Sequence, residues 1–330
     1  MNSVLILFQD IRLPSSRIRM LNLIPVLNSM GLNITVEQYP VSLKKKLDLY
    51  RILHRFDAVV LQKKLLSFPD FKLLRMFSKR IVYDFDDAVY IRDDQATEPV
   101  SRTRLARFSR TVANADLVVA GTPFLADEAA KFAKNISIVP SAVEVTGIPV
   151  KNWQTANERF VIGWVGSGGN LRYLENLAEP LRKLAGEYPL ELRVISNKPA
   201  YMEGVPVVNI QWSLEGQAQE IARFDAGLMP LPKTHWSQGK CSYKALQYMA
   251  AGVPVVATDW GYNRQVIREG ETGLLAEDDM QYYRKIRLLI ESPELAKSMG
   301  DAGRRLVERE YSIEVVGELL ARSLTDLLQK

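Results

Sequence analysis

The sequence predicts an α/β protein with two doubly wound parallel sheets. Its 330 residues exceed one typical domain and suffice for two. Short apolar runs alternate with helical patterns along the chain, as expected of parallel strands that are buried on both faces. The alternation is interrupted by a polar stretch of weak periodicity, residues 144–158, and then resumes. We interpret this stretch as a linker between two similar halves.

Six strands are predicted in the first half, and helices separate them. The strands are expected at 3–9, 32–38, 57–62, 80–87, 115–121 and 135–141, and the helices at about 15–30, 44–55, 70–78, 101–114 and 123–133. Ser15 and Ser16 offer an N-cap for the first helix, and Gly31 is predicted to end it.

The second half repeats the alternation and closes with three helices. The strands are expected at 159–166, 190–196, 205–212, 224–231, 253–258 and 272–277, and the helices at about 170–187, 214–223, 245–250, 262–268, 279–291, 293–308 and 312–329. Open α/β sheets bind ligands at the carboxyl ends of their strands, and two such domains placed face to face would form a cleft. We therefore expect functional residues just after strands.

Composition narrows the class of protein. The chain is 47% hydrophobic and 25% charged, which is ordinary for a soluble globular protein. It has one cysteine, so no internal disulfide forms, and this fits a reducing compartment. The apolar run at the N-terminus is too short for a signal peptide or a membrane span. These features predict a cytoplasmic protein.

Positive charge is concentrated in the first half. Residues 1–150 hold 21 lysines and arginines against 15 acidic residues, and the excess is densest from Tyr39 to Arg80. The basic helix KKKLDLYRILHRF would suit the anionic inner face of a membrane. The alternative is a helix that covers the sheet and exposes a solvated basic face. No recognition motif accompanies the charge, so no nucleic-acid partner is predicted.

The stretch Trp236–Asp259 combines a polar loop, a helix and a buried strand. A helix N-terminus presents unpaired N–H groups and a partial positive charge, so it favours an anion. Lys240 and Lys244 would add full charges there, and a diphosphate is the expected ligand. The alternative is an ordinary α/β unit with solvated lysines.

Further donor-site candidates follow strands of the second half. A glycine-rich turn, in which the backbone can approach a phosphate, consists of Gly166, Ser167, Gly168, Gly169 and Asn170. The alternative is a plain tight turn. Asn197 and Trp212 would hold a base, although Trp212 would also suit a core or rim position. Gln247 shares a helix face with Lys244 and would reach a ribose hydroxyl, or it is simply a polar surface residue.

Charged residues also follow strands of the first half. Arg17 and Arg19 follow the first strand, and helical spacing sends them to different sides, so one would clamp an anionic group. Asp84, Asp86 and Asp87 follow the fourth strand and would bind a cation, hold sugar hydroxyls or supply a base. Alternatively, Asp87 is a cap. With no histidine cluster or cysteine pair, no metal site is predicted.

Several longer motifs carry a resemblance to a known family. In the second half they are GWVGSGGNLRYL, FDAGLMPL, GKCSYKALQYMAAGVPVVATDWGYNRQVI, REGETGLLAE and YSIEVVGELLARSL, and in the first half PSSRIRMLNLIPVL, YDFDDAVY, ADLVVAGTPFLADEA and VPSAVE. The chain resembles the retaining, two-domain glycosyltransferases of family 4, which have the GT-B fold, and in particular a bacterial subgroup.

The resemblance implies a division of labour between two Rossmann-like domains. Residues 1–150 would bind the acceptor and residues 151–312 the nucleotide-sugar donor, while 313–330 would form a closing helix that packs back toward the first domain. The implied enzyme is a hexosyltransferase-like protein of polysaccharide or cell-envelope synthesis. It would transfer sugar, with retention, from a nucleotide-diphosphate sugar to a glycan or lipid-linked acceptor, with no obligatory metal or cofactor. The alternatives are a sugar-nucleotide epimerase of the same fold and a catalytically silent nucleotide-sugar-binding protein.

The chain departs from the family at the donor helix. The family usually has two glutamates eight residues apart, and Gly239 and Gln247 stand at those positions. Its usual arginine–lysine pair on the diphosphate is also displaced, and Lys240 and Lys244 are the expected replacements. The predicted donor residues are Gly166, Ser167, Gly168, Asn170, Asn197, Trp212, Gly239, Lys240, Ser242, Tyr243, Lys244 and Gln247. The predicted catalytic residues are Lys240, Lys244 and Asp87, and the predicted acceptor residues are Arg17, Arg19, Asp84, Asp86 and Asp87.

Overall fold

The computed structural model describes residues 2–155 and 157–329, in which strands and helices alternate. The strands are β1 (Asn2–Phe8), β2 (Leu32–Gln38), β3 (Ala58–Gln62), β4 (Ile81–Phe85), β5 (Leu117–Ala120), β6 (Ile136–Ile138), β7 (Phe160–Val165), β8 (Leu190–Ser196), β9 (Val207–Gln211), β10 (Ala226–Met229), β11 (Val255–Thr258) and β12 (Gly273–Ala276).

The α-helices include the three that close the chain. They are α1 (Pro14–Arg19), α2 (Ile24–Ser29), α3 (Leu43–Ile52), α4 (Phe68–Phe77), α5 (Arg102–Ala113), α6 (Pro123–Ala130), α7 (Leu171–Glu175), α8 (Ala178–Glu187), α9 (Gln217–Ile221), α10 (His235–Gln238), α11 (Tyr243–Ala250), α12 (Asn263–Val266), α13 (Asp279–Glu291), α14 (Pro293–Glu310) and α15 (Ile313–Gln329). Three short 3-10 helices lie at Leu21–Leu23, Leu53–Arg55 and Gly168–Asn170.

The chain divides into two compact units. Unit 1 consists of Met1–Ala142, Thr234–Cys241 and Ile313–Lys330, and unit 2 consists of Val143–Lys233 and Ser242–Ser312. The division therefore falls after Ala142 rather than at residue 150, and it assigns α10 and α15 to unit 1. No strand or helix is assigned to the described part of the predicted linker 144–158, and Ala156 of this linker lies outside the described residues.

Unit 1 is built on a parallel sheet with strand order β2-β1-β3-β4-β5-β6. The order reverses between β1 and β3, where crossovers leave for opposite faces, and such a switch point is the usual ligand site of the fold. One apolar cluster covers each face of the sheet, and the second includes Val316, Leu320 and Leu324 of α15. Because β3 and β4 are parallel neighbours, the residues that follow them lie at the same edge of the sheet.

The prediction of one continuous helix after β1 is wrong. The chain forms α1, a 3-10 turn and α2 instead of one helix over 15–30. Pro25 has no N–H to complete the helical ladder, and it stands in the first turn of α2, where that N–H is not needed. The expected serine cap is also wrong, because Leu13 is the N-cap residue and no side chain caps α1.

Unit 2 has the strand order β12-β11-β10-β7-β8-β9, again with every neighbouring pair parallel. This is the Rossmann order, and its switch point lies between β7 and β10. Tyr248 of α11 is buried against the sheet, where its hydroxyl donates to Leu228 O at 3.2 Å and accepts from Val165 N at 3.0 Å. The fold class, two doubly wound parallel α/β units, is confirmed. No helix among the described residues is long and apolar enough to cross a membrane.

A side chain at Gly163 in β7 is expected to destabilise unit 2. A Cβ atom there would lie 1.9 Å from the buried Phe224 ring. We expect Gly163→Ala to lower the free energy of unfolding by about 3 kcal/mol, since the packed ring must move. Urea unfolding followed by circular dichroism measures this.

Gly186→Ala is the matched control in α8. No atom lies within 4 Å of a Cβ built there, so this change should be neutral or stabilise by about 0.5–1 kcal/mol. Equal stability of the two variants would contradict the packing argument.

Candidate functional site

The predicted glycine-rich turn follows β7 at the switch point of unit 2. Gly168 N donates to Asn197 Oδ1 at 2.7 Å, so the turn and the predicted base-binding residue Asn197 lie together. Asn170 donates from its side chain to Ser167 Oγ at 3.2 Å and from its backbone N–H to Ser167 O at 2.9 Å. The turn is therefore held in one conformation by its own polar groups.

Lys244 of α11 lies against this turn. A Cβ atom on Gly166 would come 3.0 Å from Lys244 Cε and 2.6 Å from the Trp164 ring. The Lys244 ammonium is 5.3 Å from the centroid of that ring, within cation–π range. The structure thus brings the predicted lysine and the predicted glycine together, and glycine is the residue that leaves room for the lysine side chain.

The start of α11 is fixed by buried hydrogen bonds. Ser242 is the N-cap residue with a left-handed φ of 52°, and its side chain forms no hydrogen bond with the helix. Its hydroxyl instead lies 2.7 Å from Asn263 Oδ1, and Asn263 Nδ2 donates to Thr258 O at 3.0 Å. The helix begins at Tyr243, whose side chain packs on the unit 2 core. The buried hydrogen bonds of Ser242 and Asn263 thus set the residue at which the helix begins.

Three polar side chains form a chain of hydrogen bonds near the ends of β9 and α11. Gln217 Oε1 accepts from Trp212 Nε1 at 3.0 Å and from Gln247 Nε2 at 3.2 Å. Trp212 and Gln247 were predicted, and the structure links them. Gln217 was missed, although its position at the start of a helix after a strand was the available signal.

Lys240 precedes the N-cap residue of α11 and does not lie at the helix start as expected, while its predicted role stays a prediction. The left-handed Ser242 starts the helix at Tyr243, and Lys240 belongs to unit 1. Its ammonium lies 2.8 Å from Asp87 Oδ1 and 3.7 Å from the centroid of the Trp236 ring. Opposite charge and an aromatic face within unit 1 hold this side chain.

Gly239 also belongs to unit 1, and it is closely packed there. A Cβ atom at Gly239 would lie 3.1 Å from Ala88 and 3.1 Å from Leu125. A side chain at this position would require these neighbours to shift by a few tenths of an ångström.

Lys63 is a second cation on the predicted acidic cluster. Its ammonium lies 2.8 Å from Asp86 Oδ1 and 2.5 Å from Asp87 Oδ2, and its backbone has a left-handed φ of 60°. Burial favours a higher pKa for Asp87, but Lys240 and Lys63 outweigh it and hold that pKa at about 2. A carboxylate with such a pKa is a weak base at neutral pH. Lys63 was missed, although it directly follows β3.

Arg19 and Asp84 form a buried ion pair rather than an open binding surface. Arg19 is 2% exposed and Asp84 is 0% exposed. Arg19 Nη2 lies 2.5 Å from Asp84 Oδ1, and Nη1 donates to Val139 O at 2.6 Å. Burial raises the pKa of Asp84 against the effect of the guanidinium. Arg17 points elsewhere, and its Nη1 donates to Ile11 O at 3.2 Å. An acceptor role for Arg19 or Asp84 would require this pair to open.

The described residues contain no preformed set of metal ligands. No group of three His, Cys, Asp or Glu side chains there is arranged to hold an ion. Asp84, which lies within β4, pairs with Arg19 instead, and Asp86 and Asp87, which follow β4, pair with Lys63 and Lys240.

Comparisons with known proteins agree with the fold. Residues 159–292 match the family model "Glycosyl transferases group 1". A 76-residue segment is 37% identical to "Putative glycosyltransferase EpsD" of Bacillus subtilis (strain 168), and it covers 22% of this chain and 20% of that protein. The chain thus aligns with about a fifth of the length of the curated relatives it matches.

Two solved structures are similar over their whole length. Sucrose-phosphate synthase from Thermosynechococcus elongatus has a TM-score of 0.76 at 15% identity, with 100% of both chains covered. Anabaena HepE in complex with UDP and glucose has a TM-score of 0.71 at 11% identity, with 98% of this chain and 99% of that chain covered. These similarities show the fold, and the predicted GT-B class is confirmed.

Removal of the Asp87 carboxylate is expected to destabilise the protein in a pH-dependent way. The pKa of Asp87 is depressed from 3.8 to about 2 in the folded state. Its stabilisation is therefore complete above the ordinary value and is lost as the pH falls from 4 toward 2. We expect Asp87→Asn to lower the free energy of unfolding by about 2 kcal/mol at pH 7. The deficit should shrink at pH 3, as measured by urea unfolding.

Asp301→Asn is the control, since Asp301 forms a surface pair with Lys297 and is 39% exposed. It should change stability by less than about 0.5 kcal/mol at either pH. A deficit for Asp87→Asn that stays constant between pH 7 and pH 3 would count against the ion-pair account.

Proposed function

We propose that this protein is a glycosyltransferase whose unit 2 binds a nucleotide-diphosphate sugar. The observation that supports this most strongly is the position of Lys244 against Gly166, at the switch point of a Rossmann-ordered sheet. Both residues lie within the segment that matches the group 1 glycosyl transferase model. Retention of anomeric configuration and membership of family 4 belong to the same proposal.

The diphosphate is the group that needs protein charge. During transfer, the bond between the anomeric carbon and the diphosphate oxygen breaks, and the bonding electrons leave with the diphosphate. An acceptor hydroxyl forms the new bond to the anomeric carbon, and its proton passes to the oxygen of the departing diphosphate. Negative charge grows on the leaving group, and preorganised donors there lower the barrier. Lys244, the amides of the Gly166–Asn170 turn and the start of α11 are proposed for this task.

The nucleoside is proposed to lie along the linked side chains of unit 2. Trp212 offers an aromatic face whose orientation is fixed by Gln217. Gln247 offers an amide to a ribose hydroxyl as a neutral replacement for the family's glutamate. Anabaena HepE was solved with UDP and glucose, and this supports a UDP-linked donor as the first to test.

Unit 1 is proposed to bind the acceptor, a glycan or a lipid-linked glycan of envelope or polysaccharide synthesis. Exposed apolar residues Leu43 (70% exposed) and Leu47 (42% exposed) lie on the basic helix α3. They support a cytoplasmic protein that touches the inner face of the membrane. The Lys240–Asp87 pair takes a structural role in this proposal, because each group already has a partner.

Loss of the Lys244 ammonium is expected to weaken donor binding. We expect Lys244→Ala to raise the Kd for the bound nucleoside diphosphate about 10- to 100-fold, since charge-assisted hydrogen bonds contribute about 1.5–3 kcal/mol. Calorimetric titration with UDP, GDP, ADP and dTDP measures this, and the transfer rate should fall in parallel.

Lys183→Ala removes the same charge from an exposed position on α8, over the Tyr283 ring. It should leave nucleotide affinity unchanged. Wild-type affinity and transfer in Lys244→Ala would overturn the proposed donor site.

Donor chemistry without an acceptor separates the proposed enzyme from an epimerase. We expect the purified protein to leave a UDP-sugar unepimerised and, with an acceptor present, to form a glycoside of the same anomeric configuration. Proton NMR of the anomeric signal reads both results. Epimerised donor in the absence of acceptor, or an inverted product, would refute the corresponding part of the proposal.

A further inference from the structure

Unit 1 contains a pocket of about 230 Å³ that the donor chemistry does not use. It is lined by loop residues that follow β2 and β3, together with side chains of α3, α4 and α5. Every lining residue belongs to unit 1. The pocket therefore lies at the same edge of the sheet as the other residues that follow strands, where α/β folds bind ligands.

The walls of the pocket are positively charged. Lys46, Lys64 and Arg107 line it, together with a single acid, Asp70. Lys46 lies 2.8 Å from Asp70 Oδ2. Within residues 2–155 and 157–329, Lys64 and Arg107 form no ion pair within 4.0 Å. With three cations against one carboxylate, the lining carries a net charge of +2.

Two of these cations lie over the same buried aromatic ring, that of Tyr39. The ammonium groups of Lys46 and Lys64 lie 5.8 and 5.1 Å from the centroid of Tyr39, which is 2% exposed. Burial and the nearby charge of Lys46 lower the pKa of Lys64. Two cations held together beside a partly apolar wall repel each other, and a bound anion would remove that repulsion.

The acid of the pocket is fully engaged. Asp70 accepts hydrogen bonds from Lys46, from Ser67 Oγ at 2.8 Å and from Tyr50 OH at 3.3 Å. Tyr50 OH in turn lies 2.7 Å from Tyr39 OH. This network fixes the ring and Lys46 in place, and it leaves Lys64 and Arg107 available to a ligand.

We propose that this pocket binds a phosphate ester, and this rests on the proposed function in that the phosphate would belong to the acceptor. A phosphomonoester carries about −1.5 to −2 charge at pH 7, which matches the uncompensated charge of the lining. Guanidinium and ammonium groups are the usual partners of phosphate oxygens. Val41, which lines the pocket and is 87% exposed, and Phe68, which follows the lining residue Ser67 and is 61% exposed, place apolar surface beside the anion site. A lipid-linked phosphate combines both features.

The test measures phosphate binding without any donor. Calorimetry is done with glycerol 3-phosphate and dodecyl phosphate, below the micelle concentration, on the full chain. We expect the double variant Lys64→Ala/Arg107→Ala to bind both probes at least tenfold more weakly than the wild type. Its thermal midpoint should change little, because the lost contact of the Lys64 ammonium with the Tyr39 ring is offset by the removed repulsion between Lys64 and Lys46. Its UDP affinity should stay within twofold of wild type.

The control variant is Lys72→Ala/Arg102→Ala, which removes two exposed charges of unit 1 outside the pocket. It should bind the probes like the wild type. Equal weakening in both double variants would indicate non-specific attraction and overturn the proposal, as would wild-type binding in the pocket variant or no binding at all to millimolar probes.

The two probes distinguish the source of the phosphate. Tighter binding of dodecyl phosphate than of glycerol 3-phosphate supports a lipid-linked ester, whereas equal binding supports a soluble ester at the same site. In transfer assays, the pocket variant should raise KM for a phosphate-bearing acceptor and leave KM for the donor unchanged. Loss of UDP binding in the Lys244 variant tests the donor site separately, so either proposal can fail alone.

Discussion

Parallel pairing of the strands is the constraint on which the rest of both units depends. Parallel neighbours require a crossover, so each strand is followed by a segment that must cover a face of the sheet. Apolar clusters occupy both faces of each sheet as a result. The carboxyl ends of all strands in a sheet then lie at one edge. Polar residues that are far apart in sequence, such as Lys63 and Asp87, come into contact there because each follows a strand of the same sheet.

Charge compensation divides the residues at that edge of unit 1 into two groups. Arg19 of α1 pairs with Asp84 of β4, and the loop residues Lys63 and Lys240 pair with the loop residues Asp86 and Asp87. Buried charges are tolerated only when they are paired in this way. Lys64 and Arg107 lie outside such pairs, and for this reason we propose them as ligand-binding groups.

In unit 2, two glycines allow neighbouring side chains to pack closely against the backbone. Gly166 lacks a side chain where Lys244 and Trp164 lie, and Gly163 lacks one where Phe224 packs. Larger residues at these positions would displace the helix or the ring that they now contact. Because Gly166 has no side chain, the backbone of the turn after β7 lies close to the Lys244 side chain. Backbone N–H groups and an ammonium group in one place suit a phosphate group.

The sequence by itself determined the α/β class, the order of the strands along the chain and the glycine-rich turn. These depend on local apolar runs and turn residues, which act over a few positions. It also placed Lys244, Trp212 and Gln247 among candidates that the structure links to Gly166 and Gln217. Only the tertiary structure decided which acids and bases pair. Lys240 is close to Lys244 in sequence, yet its charge is held by Asp87. The physical reason is that ion pairs form between side chains brought together by the sheet, and a sequence pattern does not contain that distance.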